Sequence, residues 1–130
     1  MLVVDASAVL EVLLNTPAAA RVAARLFVPG ETLHAPHLLD LEVAQVLRRY
    51  ALAGELDSRR GREALDDLAD LPLTRYPHGL FLSRIWELRR NVTAYDAVYV
   101  ALAEALAAPL VTRDAALASV RAHRARVELL

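Results

Sequence analysis

With 130 residues, 56% of them hydrophobic, the chain has the size and apolar content of a single domain with a real core, residues 1–130. It contains no cysteine, which excludes disulfides and thiolate metal sites. It has no apolar run long enough to span a membrane, and Asp5 and Glu11 interrupt the one candidate signal peptide, so a cytoplasmic protein is expected.

Short β-branched or leucine-rich runs alternate with longer helical patterns, which predicts βαβ units around a parallel sheet of about five strands. The first strand is Leu2 to Asp5, followed by helices over Ser7 to Leu14 and Ala18 to Phe27, with Pro29-Gly30 as a stop. A second strand, Thr32 to Ala35, leads into a helix from His37 to Ala53 that ends at Gly54. The next helix is capped by Asp57 or Ser58 and runs to about Asp70, before the strand Leu73 to Tyr76. Leu80, Phe81, Ile85 and Leu88 predict a helix over Gly79 to Arg90, with Trp86 on the edge of its apolar stripe and read as core. The most apolar helix is Thr93 to Ala107. A strand Leu110 to Thr112, a short helix Asp114 to Arg121 and a strand Arg126 to Leu129 complete the chain.

Four acidic residues stand at or near the junctions of these elements: Asp5, Glu42, Asp96 and Asp114. Mg²⁺ takes oxygen ligands in octahedral geometry and keeps several waters, so carboxylates gathered from distant positions suit it better than a His/Cys cage. Functional crevices of open parallel sheets lie at the carboxyl ends of strands, where Asp5 and Asp114 are expected. Three of the acids also have an ordinary reading. Asp5 and Asp114 can cap the helices that follow them, and Thr93-x-x-Asp96 reads as a capping-box variant. Glu42 has no such reading. It lies on the edge of the apolar arc of Leu39, Val43, Val46, Leu47 and Tyr50, while Asp40, about 200° away around the helix, faces elsewhere. A half-buried carboxylate there needs a cation, either a metal ion or an arginine.

The net charge is −1 and all 15 basic residues are arginine. Setting the four acids aside leaves fifteen arginines against twelve acids, a modestly basic rim around an acidic centre, and arginine grips phosphate in a bidentate way. The absence of lysine removes a P-loop and the phosphorylated receiver domain, and four isolated glycines give no G-x-G-x-x-G dinucleotide loop. The histidines His34, His37, His78 and His123 are scattered without metal-ligand spacing.

Val4-Asp5-Ala6-Ser7-Ala8, Leu41-Glu42-Val43 with Val46-Leu47-Arg48-Arg49, Thr93-Ala94-Tyr95-Asp96-Ala97 followed by Tyr99, and Thr112-Arg113-Asp114 resemble PIN-domain nucleases, in particular VapC-type toxins of toxin–antitoxin pairs. The resemblance covers the whole chain. It implies a three-layer α/β/α, Rossmann-like fold and an endoribonuclease whose Mg²⁺ (or Mn²⁺) is held by Asp5, Glu42, Asp96 and Asp114. It places Ser7 and Thr112 in support of those ligands. Arg113, the arginine nearest in sequence, would contact a flanking phosphate. A water activated by the ion would attack phosphorus. The expected partners are an RNA substrate, a second copy in a homodimer and a VapB-like antitoxin, with DNA reached only through that antitoxin. The competing expectation is a non-catalytic PIN-like module that binds RNA or protein through the same crevice.

Overall fold

The computed structural model describes residues 1–130. Five strands, β1 (Leu2–Val4), β2 (Leu33–Pro36), β3 (Leu73–Tyr76), β4 (Leu110–Thr112) and β5 (Val127–Leu129), form one sheet of order β3-β2-β1-β4-β5. Every neighbouring pair is parallel. Seven helices connect and flank the strands: α1 (Ala6–Leu13), α2 (Ala19–Leu26), α3 (Leu38–Leu52), α4 (Ser58–Asp70), α5 (Leu82–Glu87), α6 (Ala94–Leu106) and α7 (Ala115–Ala118). Helices α1 to α4 pack on one another, and α6 crosses β1, β2 and β4 with α5 against it. Because βαβ crossovers are right-handed, this division places the two helix groups on opposite faces of the sheet, the expected three layers.

The inner strands are buried on both faces. Leu2, Val3, Val4, Leu33, Ala35, Leu110 and Val111 belong to a single cluster of 29 buried apolar residues, together with most of α6 from Ala97 to Ala103. Continuous apolar strands of this kind belong to a sheet covered by helices on both sides. The alanines of α6 allow that helix to lie close against the strands, and the segment is buried through Ala103 and again at Ala108. No helix is long and apolar enough to cross a membrane.

Two regions depart from the sequence reading. The helix expected over Gly79 to Arg90 is a 3₁₀ turn, His78–Phe81, followed by a short α5. No side chain caps either piece, and Gly79 weakens the first turn. The amides of Asn91 and Val92 then close back on the Leu88 carbonyl and end the helix early. Phe81, Ile85 and Leu88 provide its packing face, whereas Trp86 is 68% exposed and carries the Arg89 guanidinium over its ring at 4.5 Å. Trp86 is therefore a surface residue, held by a cation–π contact. The last helix stops at Ala118 rather than Arg121, and Ala122 takes a left-handed φ of 67° as the chain turns toward β5.

Three polar side chains are buried in this frame, Asp5, His34 and Thr112. His34 in β2 is buried between two hydroxyls, Thr32 at 2.8 Å from Nε2 and Tyr76 at 2.8 Å from Nδ1. Burial, with a smaller contribution from the N-terminal ammonium, depresses its pKa. The unfolded chain therefore takes up the histidine proton before the folded one does, and stability contributed by neutral His34 is lost as pH falls. Urea unfolding from about pH 7.5 to about pH 5 is expected to show a smaller acid-side loss in His34→Gln than in the unsubstituted protein.

Candidate active site

In this strand order the chain leaves β1 toward β2 on one side, and β4 lies on the other, so the topological switch point is at the β1/β4 edge. Ligand crevices of open α/β sheets form at that place. A crevice of about 500 Å³ opens there, lined by Asp5, Ser7, Glu42, Asp96 and Asp114 among others. The structure thus brings all four junction acids to one cavity from four elements, the end of β1, α3, α6 and the turn after β4.

Asp5 is the buried member. It caps α1: the Ala8 amide donates to Oδ1 at 3.1 Å, as does the Ser7 hydroxyl at 2.7 Å, and the Thr112 hydroxyl donates to Oδ2. A cap contributes about 1 kcal/mol, whereas taking a carboxylate out of water costs several. Capping alone does not account for a carboxylate in this position. The two hydroxyls also hold the turn that carries Asp114, since Ser7 Oγ accepts from the Arg113 amide at 2.9 Å and Thr112 Oγ1 accepts from the Asp114 amide at 2.9 Å. Each hydroxyl therefore links the backbone of the β4 turn to Asp5.

Glu42 is half-buried on α3 and accepts a hydrogen bond from the Tyr99 hydroxyl at 2.6 Å. Asp40 faces away, as the helical rotation requires, and binds Arg75 at 2.8 Å. On α6, Thr93 is the N-cap and its hydroxyl oxygen accepts from the Asp96 amide at 3.2 Å. The Asp96 carboxylate does not return the bond to Thr93, so this capping box is half-made and the carboxylate faces the crevice. Asp114 is exposed at the rim and caps α7 through a 2.8 Å bond from the Ala116 amide.

The electrostatics are those of an unneutralised acidic pocket. Burial raises the pKa of Asp5 against the lowering effect of its hydrogen bonds, and Asp114 raises it further. Burial also raises Glu42, opposed by the Tyr99 bond and reinforced by Asp96 and Asp5. Asp96 is raised by burial and then by Asp114 and Asp5. The Tyr99 hydroxyl is pushed far above its ordinary range, by burial first and then by Glu42, and stays a proton donor. No three of the acids close around one point. The donor set is entirely oxygen, half-solvated and short of positive charge, which fits a hard divalent ion that retains waters and fits no softer metal.

Arg113 is placed differently from the sequence expectation. Its guanidinium reaches Glu11 at 3.4 Å and the Leu130 carbonyl instead of the crevice. A carboxylate and a chain-end carbonyl satisfy it there. The arginine that lines the crevice is Arg49, with Gln45, Tyr95 and Tyr99 also on its walls. Helical spacing carries that signal: Leu38, Leu41, Glu42, Gln45 and Arg49 recur at three- and four-residue steps, and Tyr99 follows Asp96 by three.

A PIN domain profile matches residues 2–122. The chain belongs to the PIN-domain family. Within it, the chain is 51% identical over 114 residues to Ribonuclease VapC9 of Mycobacterium tuberculosis, spanning 88% of this chain and 86% of that protein. It is 42% identical over 130 residues to Ribonuclease VapC12 of the same organism, spanning 100% and 99%. This PIN domain therefore stands among the VapC ribonucleases. Its fold also matches the crystal structure of VapBC2 from Rickettsia felis bound to a DNA fragment from their promoter. That match has a TM-score of 0.73 and 13% identity and covers 98% of this chain and 97% of that one.

The hydrogen bonds to Asp5 give a stability test. Thr112→Val keeps the shape of a fully buried side chain but removes the hydroxyl that Asp5 and the Asp114 amide share. It is expected to lower the urea-unfolding free energy by about 1–3 kcal/mol, with Ser7→Ala less costly because Ser7 is only partly buried.

Proposed function

We propose that this PIN domain is a Mg²⁺-dependent endoribonuclease, with Mn²⁺ able to substitute, and the toxin of a toxin–antitoxin pair. The observation that carries the reading is the convergence of Asp5, Glu42, Asp96 and Asp114 on one crevice at the β1/β4 switch point, in a chain 51% identical to a VapC ribonuclease.

In this reading Asp5 and Asp96 are the main metal ligands, directly or through water, and Glu42 and Asp114 complete the set. When bound there, the ion supplies neutralisation of the phosphate charge and lowers the pKa of an attacking water. Asp5 is the fixed reference point, because Ser7, Thr112 and the Ala8 amide leave its carboxylate a single orientation. The Tyr99 hydroxyl occupies one oxygen of Glu42 and leaves the other for the ligand or for an attacking water. Asp96 has no side-chain partner of its own and is free to turn toward the ligand. Asp114, at the exposed mouth, is the acid nearest to incoming substrate. Hydrolysis by water leaves 5′-phosphate and 3′-hydroxyl ends. A histidine-based route through the RNA 2′-hydroxyl would leave a cyclic phosphate instead, and none of His34, His37, His78 and His123 lines the crevice.

The partner reading is a homodimer neutralised by a VapB-like antitoxin in the cytoplasm, with DNA bound through the antitoxin. The names of the relatives and the solved VapBC2 assembly with promoter DNA support it, as do the large apolar side chains left on the surface at Leu80, Leu82 and Trp86.

End mapping of bacterial RNA incubated with the purified protein and Mg²⁺ tests the reading. New 5′-phosphate ends are expected, absent with EDTA and reduced at least about a hundredfold in Asp96→Asn. Ends bearing 5′-hydroxyls would replace the metal-activated water by attack of the RNA 2′-hydroxyl, and no cleavage by folded protein would return the choice to a non-catalytic binding module.

A further inference from the structure

The crevice carries more than its acids. Along α3 the residues on its wall form one stripe, from Leu41 and Glu42 through Gln45 to Arg49. Leu41 is 71% exposed, and Tyr95, on the α6 wall beside Asp96, is 66% exposed. Two large side chains left in water at the mouth of a polar cavity contribute nothing to the core. The Arg49 guanidinium also lacks a partner, although Arg75, Arg84 and Arg113 each hold a carboxylate. Glu42 cannot serve, since seven residues of helix separate the two by about 10 Å along the axis.

We infer that Tyr95 and Leu41 form a slot for one unpaired base and that Arg49 holds a backbone phosphate beyond the acids, so the two contacts bracket the phosphodiester presented to Asp5 and Asp96. The inference rests on the nuclease reading and adds to it the parts that hold the strand. Four features support it. A flat aromatic face stacks any base. A free guanidinium matches a phosphate in a bidentate way. Glu42 lies between the two contacts on the α3 stripe. The cavity, about 500 Å³, is within the range of about 300–1,000 Å³ that takes one small-molecule-sized group, so a base must leave its stack to enter. Both contacts are exposed, and their substitution leaves the core untouched.

The test measures strand binding apart from cleavage, by fluorescence anisotropy of a short fluorescein-labelled RNA of mixed sequence. The full chain carries Asp96→Asn so that the probe survives. Tyr95→Ala is expected to weaken binding about tenfold, and Tyr95→Phe to restore it. Arg49→Gln is expected to weaken binding and to reduce the slope of log affinity against log salt by about 0.7, one phosphate contact on a single strand. Annealing the probe to its complement is expected to abolish binding. Equal binding of the duplex, or parental affinity in both Tyr95→Ala and Arg49→Gln, would overturn the inference. Cleavage by the protein without Asp96→Asn is scored separately. If that protein cleaves RNA while both variants bind like the parent, the strand contacts are wrong and the nuclease reading stands. If it cleaves nothing while the binding pattern holds, the contacts stand and the nuclease reading falls.

Discussion

A buried carboxylate at the end of the central strand organises this molecule. Asp5 follows β1 directly, caps α1 and is bound by hydroxyls from Ser7 and Thr112, which in turn receive the backbone amides of Arg113 and Asp114. One side chain thereby ties the first helix, the central strand and the turn after β4 into a single frame. That frame has an electrostatic cost, since Asp5, Glu42 and Asp96 are all shifted toward protonation, by burial first and then by neighbouring carboxylates, Asp114 among them. The fold accepts unfavourable charge at the switch point of its sheet, and a conflict of that kind is resolved by a bound cation.

The rest of the charge distribution follows from keeping that place acidic. Several arginines are held in ion pairs away from the crevice: Arg84 binds Glu104 at 2.8 Å, Arg25 binds Glu128 at 2.8 Å, and Arg75 binds Asp40. These contacts tie α5 to α6, α2 to β5 and α3 to β3. Arg49 is left unpaired on the crevice wall, two helical turns from Glu42, where it meets a polyanion without quenching the acids.

Much of this was legible in the sequence because it is local. β3 and β4 appear at the residues their apolar runs mark, and the convergence of the acids follows from the rule that ligands bind at the carboxyl ends of parallel strands. Asp5, Asp114 and Thr93 do cap helices, and for Asp5 and Asp114 the cap and the crevice are compatible because a strand-to-helix turn points its cap residue into the same edge. The misreadings have a common origin in long-range geometry. Whether Trp86 is core or surface depends on which side of α5 meets the rest of the fold, and Phe81, Ile85 and Leu88 take that side. Arg113 is drawn off by Glu11, distant in sequence, and by the last carbonyl of the chain. The Tyr99 bond to Glu42 joins residues on two helices, and no spacing rule along one helix announces it.

The central claim of the proposed function is that these mutually destabilising carboxylates bind a divalent cation. Thermal unfolding in the presence and absence of millimolar Mn²⁺, compared between the unsubstituted protein and Asp96→Asn, tests it most directly. Because raised carboxylate pKa values penalise the folded state at neutral pH, Asp96→Asn is expected to melt higher than the unsubstituted protein in EDTA. It is also expected to gain less from Mn²⁺, whose binding stabilises the folded state by mass action. Equal gains from Mn²⁺ in both proteins, or a lower melting temperature of Asp96→Asn in EDTA, would contradict the claim.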